Sequence, residues 1–185
     1  MPNARERVVE AAITCFAERG YGATTIALIE EAAGLSPGAG GTYRHFASKR
    51  AILDAAIEHV LSVDDDELAP VPTSLAGAAR DGLAALDQRR DLMRLMFRDL
   101  DRFPDLMDRV VARLIAGPVR LVAERTASVA PHVDAEAVAV VMVGALINFK
   151  VIETMVGPDR AGVSETRLVD AWAHIFAALL APPGR

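Results

Sequence analysis

Apolar residues recur at helical spacing from the start of the chain. Val8, Val9, Ala12, Ile13, Phe16 and Ala17 fall at i, i+3, i+4 and i+7, the stripe of one amphipathic helix, and Gly20 is its natural stop. Thr24 or Thr25 can cap a second, short helix carrying Ile26, Ile29, Ala32 and Ala33, which Gly34 closes. Ser36 followed by Pro37 reads as the cap and first-turn proline of a third helix, weakened at its start by Gly38, Gly40 and Gly41. Ser48 opens a fourth through Ile52, Leu53, Ala56, Ile57 and Val60; the acidic run Asp64, Asp65, Asp66, Glu67 with Pro70 and Pro72 ends it. Further helices are expected at roughly 74–88, 89–100, 104–128, 134–156 and 164–181, with Pro118 after Gly117 kinking or dividing the third of these. No segment sustains the alternation of a half-buried strand. From Ala135 to Phe149 apolar residues occupy almost every side, and the last helix carries a broad stripe of Leu168, Ala171, Trp172, Ile175 and Leu179. A helix apolar all round needs partners on more than one face.

Composition agrees with this pattern. Of 185 residues, 52% are hydrophobic and 24% charged, enough for a sizeable core, while only 5% are aromatic, which disfavours a β-sandwich. The fold class expected is therefore all-α. The lone Cys15 cannot form an internal disulfide and reads as a small buried hydrophobe, which suits a reducing compartment. The start, MPNARERVVEAA, lacks the pattern of a signal peptide, and the strongest apolar stretch, residues 137–149, is shorter than the roughly 20 residues of a membrane span. A cytoplasmic protein without a membrane partner is the expectation. Net charge is −5, which by itself argues against a nucleic-acid partner. The charge is unevenly placed, however: residues 1–53 hold six basic against five acidic groups, and the remaining 132 hold 14 against 20. A near-neutral head sits on an acidic body.

Two short helices joined at Gly34, with a third entered at Ser36, make a helix-turn-helix, in which the second element lies in the DNA major groove. The details are more specific than that. Residues 5–53 carry AA-x-x-x-F-A-E-x-G-Y in the first helix, the A-T-T cap, the E-A-A-G-L-S turn, and Tyr43-x-His45-Phe46-x-x-Lys49. This stretch resembles the DNA-binding head of the TetR family of transcriptional regulators. The resemblance implies a three-helix DNA-binding domain over 1–48 and a helical-bundle body over 49–185, about nine helices in all, serving ligand binding and dimerisation. It also implies a ligand-responsive repressor that binds a palindromic double-stranded DNA operator as a homodimer and is released by a small, largely apolar molecule.

Tyr43 and His45 can donate to phosphates flanking a groove, and Lys49, in the first turn of its helix, can form an anion site with the exposed backbone N–H groups. Thr24 or Thr25 can do the same at the second helix. By resemblance, Thr24, Thr25, Tyr43, His45 and Lys49 are the phosphate clamps, with Ser36 at the entry of the reading helix. Base readout is expected from Gly41, Thr42 and Arg44: Arg44 can bond guanine through both guanidinium nitrogens, and Thr42 can touch a thymine methyl. Phe46 belongs to the core beside Phe16 and Ile29. Two departures from the family pattern stand out. The segment Ser-Pro-Gly-Ala-Gly-Gly-Thr before Tyr43 is about two residues longer than usual, which extends the turn or reshapes the start of the reading helix, and Ala27 and Leu28 replace a charged pair.

In the body, Met93, Met96, Phe97, Phe103, Met107, Leu114, Met142, Asn148 and Phe149 are candidates for a pocket, methionines adapting to apolar shapes and Asn148 orienting a polar end. The resemblance implies a dimer interface on the last two helices, through Val138, Val141, Ala145, Leu168, Trp172, Ile175 and Leu179. No phosphate loop, nucleophilic triad or metal spacing among His45, His59, His132 and His174 points to an enzyme, a metal or a cofactor. The alternative is a helical small-molecule-binding or carrier protein whose head no longer reads DNA, suggested by the glycine-rich insertion and the acidic charge.

Overall fold

A computed structural model describes residues 2–38, 41–62, 74–160 and 162–183. In order these form α1 (Ala4–Ala23), α2 (Ile26–Ala32), a 3-10 turn (Thr42–Arg44), α3 (Lys49–Ser62), α4 (Leu75–Gln88), α5 (Arg90–Arg98), a 3-10 turn (Leu100–Arg102), α6 (Pro104–Val111), α7 (Gly117–Val129), α8 (Ala135–Val156) and α9 (Glu165–Leu180). No strand occurs among the described residues. The fold is all-α, as the helical periodicity requires. The acidic run and prolines expected to end the fourth helix lie outside the described residues.

Local chemistry explains the element ends. Asn3 and Glu6 form a reciprocal capping box at the start of α1, Thr25 caps α2, Ser48 accepts the Ala51 N–H at α3, and Ser74, Asp134 and Ser164 cap α4, α8 and α9. Gly34 takes a positive φ of 67°, and the Leu35 N–H returns to the Glu30 carbonyl at 2.8 Å, closing α2. Ahead of Pro118 the helix widens into a π-turn over Ala112–Ala116, where the Gly117 N–H reaches back five residues to the Ala112 carbonyl. The expected disturbance at Pro118 thus takes the form of a widened turn and not a break.

The chain divides into two compact units. The first comprises residues 1–68 and 91–110, the second 69–90 and 111–185. The sequence boundary between residues 48 and 49 does not coincide with this division, because α3 packs its Ile52, Leu53, Ala56 and Ile57 inside the first unit and the 91–110 segment adds Leu92, Leu95, Leu100 and Leu106 to that unit's buried side chains. α1 contributes Val8, Ala12 and Phe16, and Phe46 is buried as expected.

In the second unit α4, α8 and α9 enclose Leu83, Met142, Leu146, Phe149, Val169, Trp172 and Phe176. Trp172 is 5% exposed, stacks obliquely on Phe176 at 4.9 Å, and donates its indole N–H to the Met142 carbonyl at 3.0 Å. It belongs to this unit's own core, so the expectation that Trp172 is available to a second copy is corrected: its ring and N–H are already used. Val141, Ile175 and Leu179 are exposed, and Val138, Ala145 and Leu168 are half-buried. α8 is long and apolar enough to cross a membrane by length and composition alone, yet only 28% of its most apolar window is buried within the chain. It also carries Lys150, almost wholly buried, whose ammonium bonds Asp87 at 2.7 Å, Glu165 at 2.9 Å and Glu153 at 3.0 Å and so ties α8 to α4 and to the start of α9.

Candidate nucleic-acid interface and the other expected sites

α1 breaks where the periodicity says it must. Gly20 has φ +81°, a left-handed conformation that turns the chain out of the helix. The turn is held from several sides. The Thr24 hydroxyl donates toward the Gly20 and Cys15 carbonyls at 2.8 and 3.0 Å, and the Tyr21 N–H donates to Asp99 at 2.8 Å. Arg98 donates to the Ala17 and Glu18 carbonyls at 3.1 and 2.6 Å, the end of the helix where carbonyls lack intrahelical partners. Lys49 adds bonds to the Tyr21 and Thr24 carbonyls at 2.7 and 2.8 Å, with its ammonium 4.4 Å from the centre of the Tyr21 ring.

These contacts settle the places of three expected phosphate ligands. Thr24 is fully buried and its hydroxyl is spent on the α1 carbonyls, so it is not a phosphate clamp. Thr25 is the exposed member of the pair; its hydroxyl oxygen accepts the Leu28 N–H at 3.2 Å. Lys49 is half-buried and places two of its three donors on backbone carbonyls, which makes it first a cap on the end of α1. Sequence spacing puts Lys49 at a helix start but cannot say which way a four-carbon side chain turns.

The reading segment differs from its expected form. The described residues after Pro37 form no α-helix before α3, only the 3-10 turn Thr42–Arg44, with Gly38 at φ +78°. Glycines there do not favour helix, and a left-handed residue cannot continue a right-handed one. Thr42 is 1% exposed, so its methyl cannot meet a base; that expectation is corrected. Tyr43, at 62% exposure, projects with exposed Arg44 and His45, while Ser36 and Gly41 are also exposed. Phe46 lies inward beneath the Arg5 guanidinium at 5.4 Å. Three successive hydrogen-bonding side chains therefore stand out from one short turn over a buried phenylalanine.

Glu30 was not foreseen as part of this site. It is 3% exposed and accepts the Gly38 N–H at 2.8 Å. That bond holds its carboxyl below the usual carboxylate range against the upward push of burial. A signal was present: Glu30 stands four residues after Ile26 and three before Ala33, a charge on the apolar face of α2.

The expected pocket residues are divided between the two units. Met93, Met96, Phe97, Phe103 and Met107 lie in the first unit, and Leu114, Met142, Asn148 and Phe149 in the second. Phe97 and Asn148 are exposed, Met142 and Phe149 are core, and Phe103 is engaged edge-on with Tyr21 at 4.8 Å. An open groove of about 650 Å³ in the first unit is lined by Arg5, His45, Phe46, Asp54 and His59 among others, and by none of the pocket candidates.

Comparison with known proteins places this geometry. The profile of bacterial regulatory proteins of the tetR family matches residues 8–56, from α1 into α3. The chain is 36% identical over 77 residues to an uncharacterized HTH-type transcriptional regulator, YerO, of Bacillus subtilis, covering 42% of this chain and 26% of YerO. It is 37% identical over 86 residues to the HTH-type transcriptional repressor Rv1474c of Mycobacterium tuberculosis, covering 45% of this chain and 43% of that protein. The chain thus matches less than half the length of either relative. In fold it is similar along 96% of its length to GusR of Salmonella enterica, over 95% of that chain, with a TM-score of 0.63 at 22% identity. A capped α2, the turn at Gly34 and the exposed Tyr43-Arg44-His45 turn all lie within residues 8–56, the segment that is similar to the DNA-binding head of the tetR family.

Proposed function

We propose that the protein is a cytoplasmic, DNA-binding transcriptional repressor that works as a homodimer on a palindromic operator and is released by a small, largely apolar molecule. The observation that carries the DNA reading is the exposed run Tyr43, Arg44 and His45 on one turn within the segment shared with the family. Tyr43 and His45 donate to phosphates and set the register, and Arg44 reads guanine. Thr25, Ser36, Gly41 and the remaining donor of Lys49 supply further backbone contacts. One short turn reads few base pairs, so doubling it by symmetry supplies the selectivity that the near-neutral head does not. The apolar residues that α8 and α9 leave exposed, Val141, Ile175 and Leu179 among them, are the face for the second copy. A buried lysine among carboxylates on α8 favours a protein partner over a bilayer for that face. Bound ligand acts by favouring a state in which the two heads no longer match the operator; a tenfold loss of DNA affinity needs about 1.4 kcal/mol of differential binding.

The second reading, a carrier whose head no longer reads DNA, draws on the absence of an α-helix among the described residues of the reading segment and on the burial of Thr42. Gel shift with the DNA flanking the protein's own gene separates the two. The repressor reading expects a retarded band at moderate salt, and expects Arg44→Ala to relax discrimination at one base pair at a cost of about 1–3 kcal/mol against the preferred base. A wild-type chain that retards no fragment, indistinguishable from Arg44→Ala, leaves the carrier reading.

A further inference from the structure

Two polar side chains are seated on the ring of Phe46. The Arg5 guanidinium stands 5.4 Å over the ring centre, and the His45 imidazole meets the ring edge-on with centres 6.5 Å apart. Phe46 is buried and its N–H donates to the Thr42 carbonyl at 2.9 Å, so the ring is fixed to the turn that carries Tyr43, Arg44 and His45. Arg5 comes from the first turn of α1 and, with His45 and Phe46, lines the open groove of the first unit. A guanidinium laid on an aromatic face keeps its orientation while its N–H edge stays free.

The other charges around Arg5 are already engaged. Arg50 and Arg109 of the same unit donate to carboxylates, and Arg98 to backbone carbonyls. Of the carboxylates that line the groove, Glu6 accepts the backbone and side-chain N–H groups of Asn3, both at 2.8 Å. Asp54 is bonded by Arg50 and Arg109, and Glu58 by Arg109. Arg5 is exposed and, among the described residues, makes no ion pair. The capping box occupies donors at the start of α1, so an anion arriving here meets the guanidinium and not the helix end.

We propose that Arg5 is a further DNA-contacting residue: its guanidinium, seated on Phe46 beside His45, takes a backbone phosphate next to the reading turn. Arg5 stands ahead of residues 8–56, the segment similar to the family, so that likeness does not imply the contact. A guanidinium fits a phosphate with two parallel N–H···O bonds and brings a permanent charge, which the Tyr43 hydroxyl does not supply. The near-neutral head thereby places a cation where it meets the strand. This inference rests on the DNA-binding reading above.

The test uses the full chain and two duplexes, one carrying the site footprinted beside the protein's own gene and one of random sequence and equal length. Affinities are measured from about 50 to 200 mM salt for wild type, Arg5→Ala, Arg5→Met and Arg19→Ala. Arg5→Met removes the charge and keeps an unbranched stem over Phe46, so it serves if Arg5→Ala lowers the melting temperature. Arg19, also exposed, lies about 20 Å further along α1 and gives the same change of net charge away from the turn. For each protomer bound, the Arg5 variants should weaken both duplexes alike by about five- to tenfold and lower the slope of log affinity against log salt by about 0.9. Arg19→Ala should change affinity by less than about twofold. Ethylation of single phosphates should reveal one position per half-site that weakens wild type and no longer matters to Arg5→Met. An unchanged slope in folded Arg5→Met, a loss no larger than that of Arg19→Ala, or a loss confined to the specific duplex overturns the contact alone. A wild-type chain that binds neither duplex overturns the DNA-binding reading, and this contact with it.

Discussion

At Lys150 an ammonium group sits out of water beneath Asp87, Glu153 and Glu165. Burial alone would push its proton affinity down, but bonds from Asp87, Glu165 and Glu153 outweigh it and raise the group above its ordinary 10.5. Asp87 is held below its ordinary 3.8, the bonds from Lys150 and Arg90 overcoming its own burial. The signs follow from linkage. The Lys150 contribution to stability is complete below about pH 10 and is lost only as pH rises through the raised value. The Asp87 contribution is complete above about pH 4 and is lost as pH falls through the depressed one. Stability from this cluster is therefore flat across neutral pH. Removing one partner of a buried pair typically costs about 3–5 kcal/mol, and the exposure of Asp87 and Glu165 lowers that expectation to about 2 kcal/mol for Lys150→Met at pH 7. Urea unfolding at pH 7 and at successively lower pH checks it: the deficit should shrink as pH falls through the depressed Asp87 value. Nothing in the local sequence singles out Lys150, since its partners come from α4, α8 and the start of α9.

Among the elements, the end of α1 shows how a stop read from periodicity acquires partners in the fold. Gly20 was legible because glycine ends an apolar stripe, but its clasp by Arg98 and Asp99 depends on a segment nearly 80 residues away. A Cβ at position 20 would lie 2.9 Å from the Asp99 carboxylate and 3.3 Å from the Arg98 side chain, at a φ that resists any side chain. Asp99→Ala leaves the Tyr21 N–H without its acceptor and should cost about 1–2 kcal/mol. Gly20→Ala should cost more than the roughly 1 kcal/mol of left-handed strain alone. Because part of that excess is the clash with Asp99, Gly20→Ala should cost less in an Asp99→Ala background, and strictly additive losses in a double-mutant cycle by denaturation would refute the clasp. The reading element is the opposite case. Ser36-Pro37 signals a helix start correctly in isolation, yet Gly38 in a left-handed conformation and the pull of Glu30 leave a 3-10 turn in its place.

For the molecule as a whole, α8 and α9 carry the consequence of an apolar stripe wider than one chain can cover. Val141 is 60% and Ile175 59% exposed, whereas Trp172, on the same helix as Ile175, is buried. The proposed dimer is therefore best tested at Ile175. Ile175→Asp should leave the Trp172 core and the melting transition of the monomer intact while shifting sedimentation from dimer to monomer. A surviving dimer would move the interface off this face. Trp172→Asp is uninformative by comparison, since it would place a charge in the core beneath Met142 and Phe176.

Apart from the reading element, helix positions with their caps and stops, the all-α class and the family resemblance of the head were legible in the sequence, because each depends on residues within a few positions of one another. Side-chain direction was not. Whether Thr24 or Thr25 faces water, whether Lys49 turns to solvent or to the α1 carbonyls, and whether Trp172 lies in a core or on a face were decided by which elements meet. Burial and hydrogen-bond partners are properties of long-range packing, and no local spacing encodes them.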